Sequence, residues 1–291
     1  MTKQTIFHFK QAGLYTSLQD MGWPGKQHLG IPIGGAMDRT SARTANWLVG
    51  NDDNLPVLEI TLLGPKIIIE GDCQIALTGA NMSPYINGNP LSMYETITVK
   101  NGSKISFGPL KAGCRTYLAI AGKLMKTDLG TGNEISIKDT TSLTLKNQIQ
   151  KNNKLTFTTS RLSEIRKSST KERPIYTNKI DIQVVPGPEF NTFNEESIKS
   201  FLNNPYTISN QSNRIGYRLT ESLNHCNTPH EIISSGIIPG TIQITSSGQP
   251  IILMNDAPTI GGYARIANII SADLDKVAQL KPGDEISFIL N

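Results

Sequence analysis

The sequence predicts a mainly β protein that is built from two related domains and contains a few short helices. Short apolar runs follow one another along the chain and are separated by Gly, Pro, Asn and Asp. Such spacing is typical of barrels and sandwiches rather than of parallel sheets with crossover helices. The 291 residues, of which 37% are hydrophobic and 18% charged, suffice for two globular domains with buried cores.

The strand-like runs are short, and turn-forming residues bound most of them. Their apolar and β-branched side chains suit a pleated, half-buried surface. The predicted strands are 67–69, 75–78, 96–99, 104–107, 117–120, 180–185, 241–245, 251–254 and 285–290.

Three short helices are predicted. The first spans 39–49, because Asp38 is a good N-cap residue and Gly50 is a good terminator. The second spans 195–203 and has apolar side chains along one side. The third covers 274–280.

An internal repeat predicts that the two domains are related. The stretch EGDCQIALTGAN (70–81) aligns without gaps on SGQPIILMNDAP (247–258). Further along, 101–107 matches 281–288 at nearly the same offset. Each match is short, but their shared order favours duplication of one β domain.

The repeat also contains a difference that indicates where chemistry lies. Asn255-Asp256 in the second half occupies the place of Thr78-Gly79 in the first. A polar turn at the end of a buried strand is a common position for functional side chains. We therefore expect the site in the second half.

A basic stretch predicts the boundary between the domains. Residues 151–180 contain eight basic and two acidic residues, an excess larger than the net charge of +4 of the whole chain. Its central part, TTSRLSEIRKSSTKERP (158–174), lacks an apolar period and interleaved aromatic residues, so we interpret it as a solvated linker, with a functional basic patch as the alternative. The prediction is an N-terminal domain at 1–165, a linker at 166–179 and a C-terminal domain at 180–291.

Composition argues against several functional classes. Cys73, Cys114 and Cys226 are too few and too scattered for a disulfide framework, which fits reduced thiols in the cytoplasm. No signal peptide or long apolar segment is evident, so export and membrane insertion are not expected. We also expect no nucleic acid partner.

Known ligand motifs are missing. Neither a Walker loop nor a GxGxxG fingerprint occurs. The stretch 30–38 could hold a phosphate or carboxylate at a helix start, or it could be a plain glycine turn capped by Asp38. His225, Cys226 and His230 do not have a standard ligand spacing, so we expect no metal site.

Two arginines form the first candidate site. In an extended strand, Arg214, Gly216 and Arg218 would project to one face. Two guanidinium groups beside a glycine could clamp a carboxylate or phosphate. Alternatively, the arginines are structural and pair with carboxylates between domains.

The stretch MNDAPTIGGY (254–263) forms the second candidate site. Asn255 and Asp256 offer acceptors and an amide donor, and Asp256 is the candidate general base or metal-bound carboxylate. Thr259 adds a hydroxyl, and Gly261-Gly262 would let a ligand approach the backbone. The alternative is an Asx-turn followed by a glycine bend.

Nine stretches cover almost the whole chain, from about residue 13 to residue 284. They are GLYTSLQDMGWPG, GGAMDRTSARTANWLVGN, LEITLLGP, RTYLAIAG, VVPGPEF, SNQSNRIGYRLT, SSGIIPGTIQI, GQPIILMNDAPTIGGYARIANIISADL and AQLKPGD. Together they resemble the family of the C subunit of the bacterial ATP-dependent 5-oxoprolinase, also known as the biotin-dependent carboxyltransferase or allophanate hydrolase subunit 2 family.

The resemblance implies cyclophilin-like β-barrel domains, a cytoplasmic location and a partner, the B subunit. Together the two subunits would use ATP with Mg²⁺, shared between them, to activate 5-oxoproline by phosphorylation. The A subunit would then complete ring opening to glutamate. The site residues expected are Asp256, Asn255 and Arg214 for catalysis, and Arg218, Gln243, Gln249, Thr259, Gly261, Gly262 and Tyr263 for substrate or nucleotide binding.

The resemblance leaves two alternatives open. In urea carboxylase relatives the equivalent domain pair moves a carboxyl group from biotin to urea. No biotinyl-lysine motif occurs in this chain, so biotin would arrive on another chain. Some family members are instead non-catalytic partners of a kinase inhibitor.

Overall fold

A computed structural model describes residues 3–127, 147–159, 164–223 and 231–291. It confirms the predicted fold class, because 43% of the described residues are in strands and 14% in helices, in curled sheets with few short helices. The chain divides into two compact units. The first contains Met1–Gly22 and Asp38–Tyr176, and the second contains Trp23–Met37 and Thr177–Asn291.

Within its described residues, the first unit contains two sheets. One has the strand order β11-β12-β1-β4-β9-β6-β7, and the other has the order β2-β3-β10-β5-β8. All of their pairings are antiparallel. The strands are β1 Lys3–Gln11, β2 Tyr15–Gln19, β3 Val57–Thr61, β4 Lys66–Glu70, β5 Cys73–Asn81, β6 Pro84–Ile86, β7 Asn89–Pro90, β8 Ile97–Val99, β9 Lys104–Phe107, β10 Ala112–Ile120, β11 Lys123–Thr127 and β12 Lys154–Thr159.

Burial follows the position of each strand. In β1, Thr5, Phe7 and Phe9 are buried and alternate with half-buried residues, as expected for a strand with one face on the core. By contrast, β5 is buried along nearly its whole length, so both of its faces are covered. Phe7 and Phe157 pack edge to face, with ring centroids 5.6 Å apart.

The second unit contains one sheet in its described part. Its order is β14-β20-β13-β19-β17-β18-β15, and β16 pairs with β19. The pair β13 and β20 is parallel, and the others are antiparallel. The strands are β13 Lys179–Pro186, β14 Tyr206–Thr207, β15 Gly216–Arg218, β16 Glu231–Gly236, β17 Thr241–Ile244, β18 Pro250–Leu253, β19 Ile260–Ile269 and β20 Glu285–Leu290.

The helices lie where the sequence predicts them. Helix α1 spans Arg39–Leu48, and the Asp38 side chain accepts a hydrogen bond from the Ser41 backbone N–H. Helix α2 spans Glu195–Asn203 and has an equivalent cap at Asn194. Helix α3, Leu274–Val277, is three residues shorter than predicted. None of the helices in the described ranges is long and apolar enough to span a bilayer.

The glycines of the internal repeat have matching backbone conformations. Gly71 and Gly248, which the repeat aligns, have φ values of 94° and 78°. Gly102 and Gly283, in the second pair of matching stretches, have φ values of 80° and 88°. Positive φ favours glycine, so both halves use the same turn chemistry before the corresponding strands.

The break between the units falls between Tyr176 and Thr177, inside the predicted linker at 166–179, and 166–176 belongs to the first unit. There Arg166 stacks over the Trp47 ring and donates to the Trp47 carbonyl oxygen. Basic side chains with long apolar stems can cover a folded surface, so a high charge density does not by itself make a linker.

Candidate functional site

The polar turn after β18 is tight. The backbone N–H of Ala257 donates to the carbonyl oxygen of Met254 over 3.0 Å, so Asn255 and Asp256 are the central residues of a β-turn. Leu253 and Met254 before it are buried. The packed strand therefore fixes the position of the turn.

Arg214 and Asp256 form a bidentate ion pair. The Arg214 Nε and one Nη each donate to a different Asp256 oxygen, and both distances are 2.8 Å. The side chains are only 6% and 7% exposed. The Asp256 backbone N–H also donates to the Arg214 carbonyl oxygen over 3.0 Å. The turn and the segment before β15 are thus locked together.

A segment far away in sequence completes the cluster within the second unit. The Asn255 side-chain amide donates to the Ala36 carbonyl oxygen over 2.8 Å, and the Gly34 N–H donates to the Asn255 carbonyl oxygen over 2.8 Å. Arg214 donates to the Gly35 carbonyl oxygen over 2.8 Å. We call residues 34–36 together with Arg214, Asn255 and Asp256 the turn cluster.

Two glycines allow the segment to bend toward the turn. Gly34 and Gly35 have φ values of 61° and 78°, a region that L side chains rarely adopt. Asp38 then caps α1, accepting from the Ser41 N–H and hydroxyl, so its own side chain occupies the helix start. The glycine turn capped by Asp38 is therefore the structure of this stretch, and the first-turn amide of Ser41 is already bonded.

The two arginines of the first candidate site differ in environment. Arg214 lies just before β15 begins and turns into the buried pair with Asp256. Arg218 is exposed, whereas Tyr217 and Leu219 face the core. The prediction that Arg214 lies on the same face as Arg218 is therefore wrong. Strand alternation does not extend past the start of β15.

Gln243, Gly261 and Tyr263 form a second group. The Gln243 amide donates to the Tyr263 carbonyl oxygen over 3.2 Å. A Cβ atom at Gly261 would lie 2.6 Å from the Gln243 Nε2 atom, whereas Gly262 has no neighbour closer than 3.5 Å. Gly261 and Gly262 lie inside β19 and not in a bend. The absence of a side chain at Gly261 makes room for Gln243.

Thr259 and Gln249 lie apart from the turn cluster and from each other. The Thr259 carbonyl oxygen accepts from the Ile237 N–H over 3.1 Å. Gln249 lies in the turn between β17 and β18, where its backbone bonds to Thr245. This turn is at the opposite end of β18 from Asn255. Of the ten predicted site residues, the hydrogen bonds of the turn cluster therefore join Arg214, Asn255 and Asp256.

Another bidentate pair in the second unit was not predicted. Arg265 on β19 donates to both carboxylate oxygens of Glu189, over 2.7 and 2.6 Å. These hydrogen bonds hold the pKa of Glu189 below its ordinary value. Glu189 follows the sequence PGP, but nothing in its local pattern indicates a partner 76 positions away.

The remaining candidate ligands cannot be placed. His225, Cys226 and His230 lie outside the described residues. In the described part of the chain, no group of three or more His, Cys, Asp or Glu side chains is arranged to hold a metal ion.

Comparisons with known proteins place the chain in a family. Residues 29–290 match the family described as carboxyltransferase domain, subdomain A and B. The 5-oxoprolinase C subunit of Escherichia coli is 36% identical over 96% of this chain and 89% of that protein. The C subunit of the Haemophilus influenzae 5-oxoprolinase is 32% identical over 94% and 87%.

Larger proteins contain a related segment. Urea amidolyase of Saccharomyces cerevisiae is 31% identical over 98% of this chain, which corresponds to 16% of the yeast protein. The crystal structure of the Kluyveromyces lactis urea amidolyase superposes with a TM-score of 0.85 and 30% identity, over 98% of this chain and 18% of that one. The chain therefore belongs to the carboxyltransferase-domain family that includes the 5-oxoprolinase C subunit.

Proposed function

We propose that this chain is the C subunit of an ATP-dependent 5-oxoprolinase. With its B subunit partner it would activate the cyclic amide of 5-oxoproline by phosphorylation, and the A subunit would open the ring to glutamate. The observation that carries this proposal is the 36% identity to a 5-oxoprolinase C subunit over 96% of the chain. Because the match covers 89% of that relative, the two chains correspond over nearly their whole lengths.

Among the described residues, no group of three or more His, Cys, Asp or Glu side chains forms a metal cage, and Asp38 already occupies the start of α1. Mg²⁺ in nucleotide sites takes most of its ligands from phosphates and water, so the nucleotide would bring them. We therefore assign ATP and Mg²⁺ to the assembly that includes the B subunit, with no phosphate chemistry derived from this chain.

In this proposal the turn cluster holds a rigid polar loop for the assembly. Arg214 neutralises Asp256, so the pair carries little net charge, and its fork geometry fixes the orientation of both groups. Asn255 ties the loop to residues 34–36. Phosphoryl transfer relies mainly on positioning and charge neutralisation, so such a scaffold suits it. A general-base role for Asp256 stays a prediction.

Carboxyl transfer is the second candidate. It is favoured by the family description as a carboxyltransferase domain and by the urea amidolyase relatives. Biotin would then be attached to another chain and would bind to this one during the reaction. The two candidates differ in co-substrate: the first requires 5-oxoproline, and the second requires biotin, bicarbonate and urea.

Reconstitution with the chains encoded beside it separates the candidates. The complex would be assayed for phosphate release from ATP with and without 5-oxoproline, and for carboxyl transfer from a carboxylated biotin carrier to urea. We expect 5-oxoproline to stimulate phosphate release and urea to receive no carboxyl group. Carboxyl transfer to urea without stimulation by 5-oxoproline would replace the first candidate with the second. A complex that assembles but is silent in both assays would favour a non-catalytic binding role.

A further inference from the structure

A cavity of about 490 Å³ lies in the first unit, a volume that suits a small organic molecule. Tyr94, Tyr176 and Arg173 line it, together with the apolar side chains of Pro84, Leu91 and Met93. It is separate in sequence from the turn cluster, whose residues all belong to the second unit.

The two tyrosines give the cavity a fixed aromatic wall. The Tyr94 hydroxyl donates to the Gly79 carbonyl oxygen and accepts from the Gly79 N–H. Tyr94 itself has a φ of 63°, which is unusual for an aromatic residue and requires support from its surroundings. The Tyr176 hydroxyl bonds to Asp38 and Ser41.

Both phenols are neutral at physiological pH. Burial raises the pKa of Tyr94 and, together with the nearby Asp38 carboxylate, raises that of Tyr176 well above the ordinary value. The tyrosines therefore present ring faces and hydroxyl groups but no negative charge. Arg173 is the single charged side chain among the cavity-lining residues that the structure describes.

Arg173 is held in place but not fully satisfied. Its guanidinium carbon lies 5.3 Å from the centroid of the Tyr94 ring, and one Nη donates to the Ser168 carbonyl oxygen over 3.1 Å. Its buried Nε has no hydrogen-bond partner within the described ranges. A buried donor without an acceptor is costly, and a carboxylate is the acceptor that a guanidinium binds most strongly.

We propose that this cavity binds a small organic carboxylate with a flat apolar body. The carboxylate would accept hydrogen bonds from the Arg173 guanidinium. The apolar body would pack against Pro84, Leu91 and Met93. A carboxylate is favoured over a neutral ligand because the lining carries one positive charge and no negative one.

Calorimetric titration of the full chain with benzoate tests the proposal, and benzamide serves as the neutral isostere. We expect benzoate to bind about tenfold or more tightly than benzamide, since a charge-assisted hydrogen bond is lost with the amide. Arg173→Met should abolish this preference, and Arg173→Lys, which keeps the charge but not the fork, should reduce it. Equal binding of both compounds, or no benzoate binding, would overturn the proposal.

Arg166→Met is the matched control. Arg166 also stacks over an aromatic ring of the first unit, with its guanidinium carbon 5.5 Å from the centroid of the Trp47 ring, and it also donates to a backbone carbonyl. It does not line the cavity. Benzoate affinity should be unchanged in this variant. An equal loss of benzoate affinity in Arg166→Met and Arg173→Met would contradict the proposed site. If Arg173→Met does not fold, the comparison of benzoate with benzamide on the unaltered chain decides alone.

Discussion

The buried pair of Arg214 and Asp256 is the strongest polar contact of the turn cluster. Two parallel hydrogen bonds of 2.8 Å satisfy both charges where water has little access. Removing one partner of such a pair leaves an uncompensated buried charge, which costs more than the pair contributes to stability. The pair therefore makes the turn sensitive to single substitutions.

We expect Asp256→Ala to lower the free energy of unfolding by about 3–5 kcal/mol, since the Arg214 charge is left buried. Urea denaturation monitored by circular dichroism measures the change. Glu195→Ala is the control, because Glu195 forms an exposed pair with Lys199 and should cost less than about 1 kcal/mol. A loss for Asp256→Ala as small as that of the control would contradict the role given to the pair.

Gly261 and Gly262 provide a matched test of the second group. Gly261→Ala should cost about 1 kcal/mol of unfolding free energy, because its Cβ would displace the Gln243 amide from Tyr263. Gly262→Ala should be nearly neutral, since its nearest neighbours are 3.5 Å away. If both variants lose the same free energy of unfolding in the urea denaturation assay, contact with Gln243 is not the reason for glycine at position 261.

The pair of Glu189 and Arg265 predicts a pH dependence of stability. The pKa of Glu189 is lowered by its hydrogen bonds to Arg265. A depressed carboxyl pKa contributes stability that is present above the unfolded-state pKa, about 4.3, and is lost as the pH falls through the folded-state pKa. The difference in thermal midpoint between the unaltered protein and Glu189→Gln should therefore be full at pH 7 and shrink below about pH 4. A constant difference from pH 7 to pH 3 would refute this.

At the scale of elements, β18 and its turn link two distant parts of the chain. The Gly34 N–H donates to the Asn255 carbonyl oxygen, and the Asn255 amide donates to Ala36. The segment 34–36 has no strand or helix of its own to satisfy these groups. Its order therefore depends on the turn after β18.

We expect Asn255→Ala to speed amide hydrogen exchange in 30–37 while β18 keeps its protection. Exchange reports local opening, and one of the hydrogen bonds that hold the segment would be missing. Mass spectrometry of peptic peptides measures both regions in one experiment. Thr259→Ala, whose backbone rather than side chain makes the bond to Ile237, is the control and should leave 30–37 unchanged. Unchanged exchange in Asn255→Ala would mean that other contacts order the segment.

The sequence predicts the short apolar strands and the capped helices, because those signals are local. It misses the start of β10, because Gly113 and Arg115 are not typical strand residues. In the structure Arg115 is buried there, and its Nε lies 3.5 Å from the Glu59 carboxylate. The sequence also misses β1, β2 and β3 and the whole of β19, in which Gly261-Gly262 lie. The polar turn was predictable from the repeat, but its partner segment is 219 positions from Asn255, a distance at which local patterns carry no information.

At the scale of the whole molecule, the chain consists of two β units with different chemical features. The second contains the turn cluster, and the first contains the cavity with Arg173. The family match spans residues 29–290 and so includes most of both units. The proposed 5-oxoprolinase role accordingly concerns the entire chain, whereas carboxylate binding is a property of the first unit.

Omitting this chain from the reconstituted assembly tests the central claim most directly. Glutamate would be quantified after incubation of 5-oxoproline and ATP with the full set of neighbouring subunits, with and without this chain. The proposal predicts glutamate formation and matching phosphate release only when the chain is present. Glutamate formation at the same rate without the chain, or none with the complete and assembled complex, would contradict it.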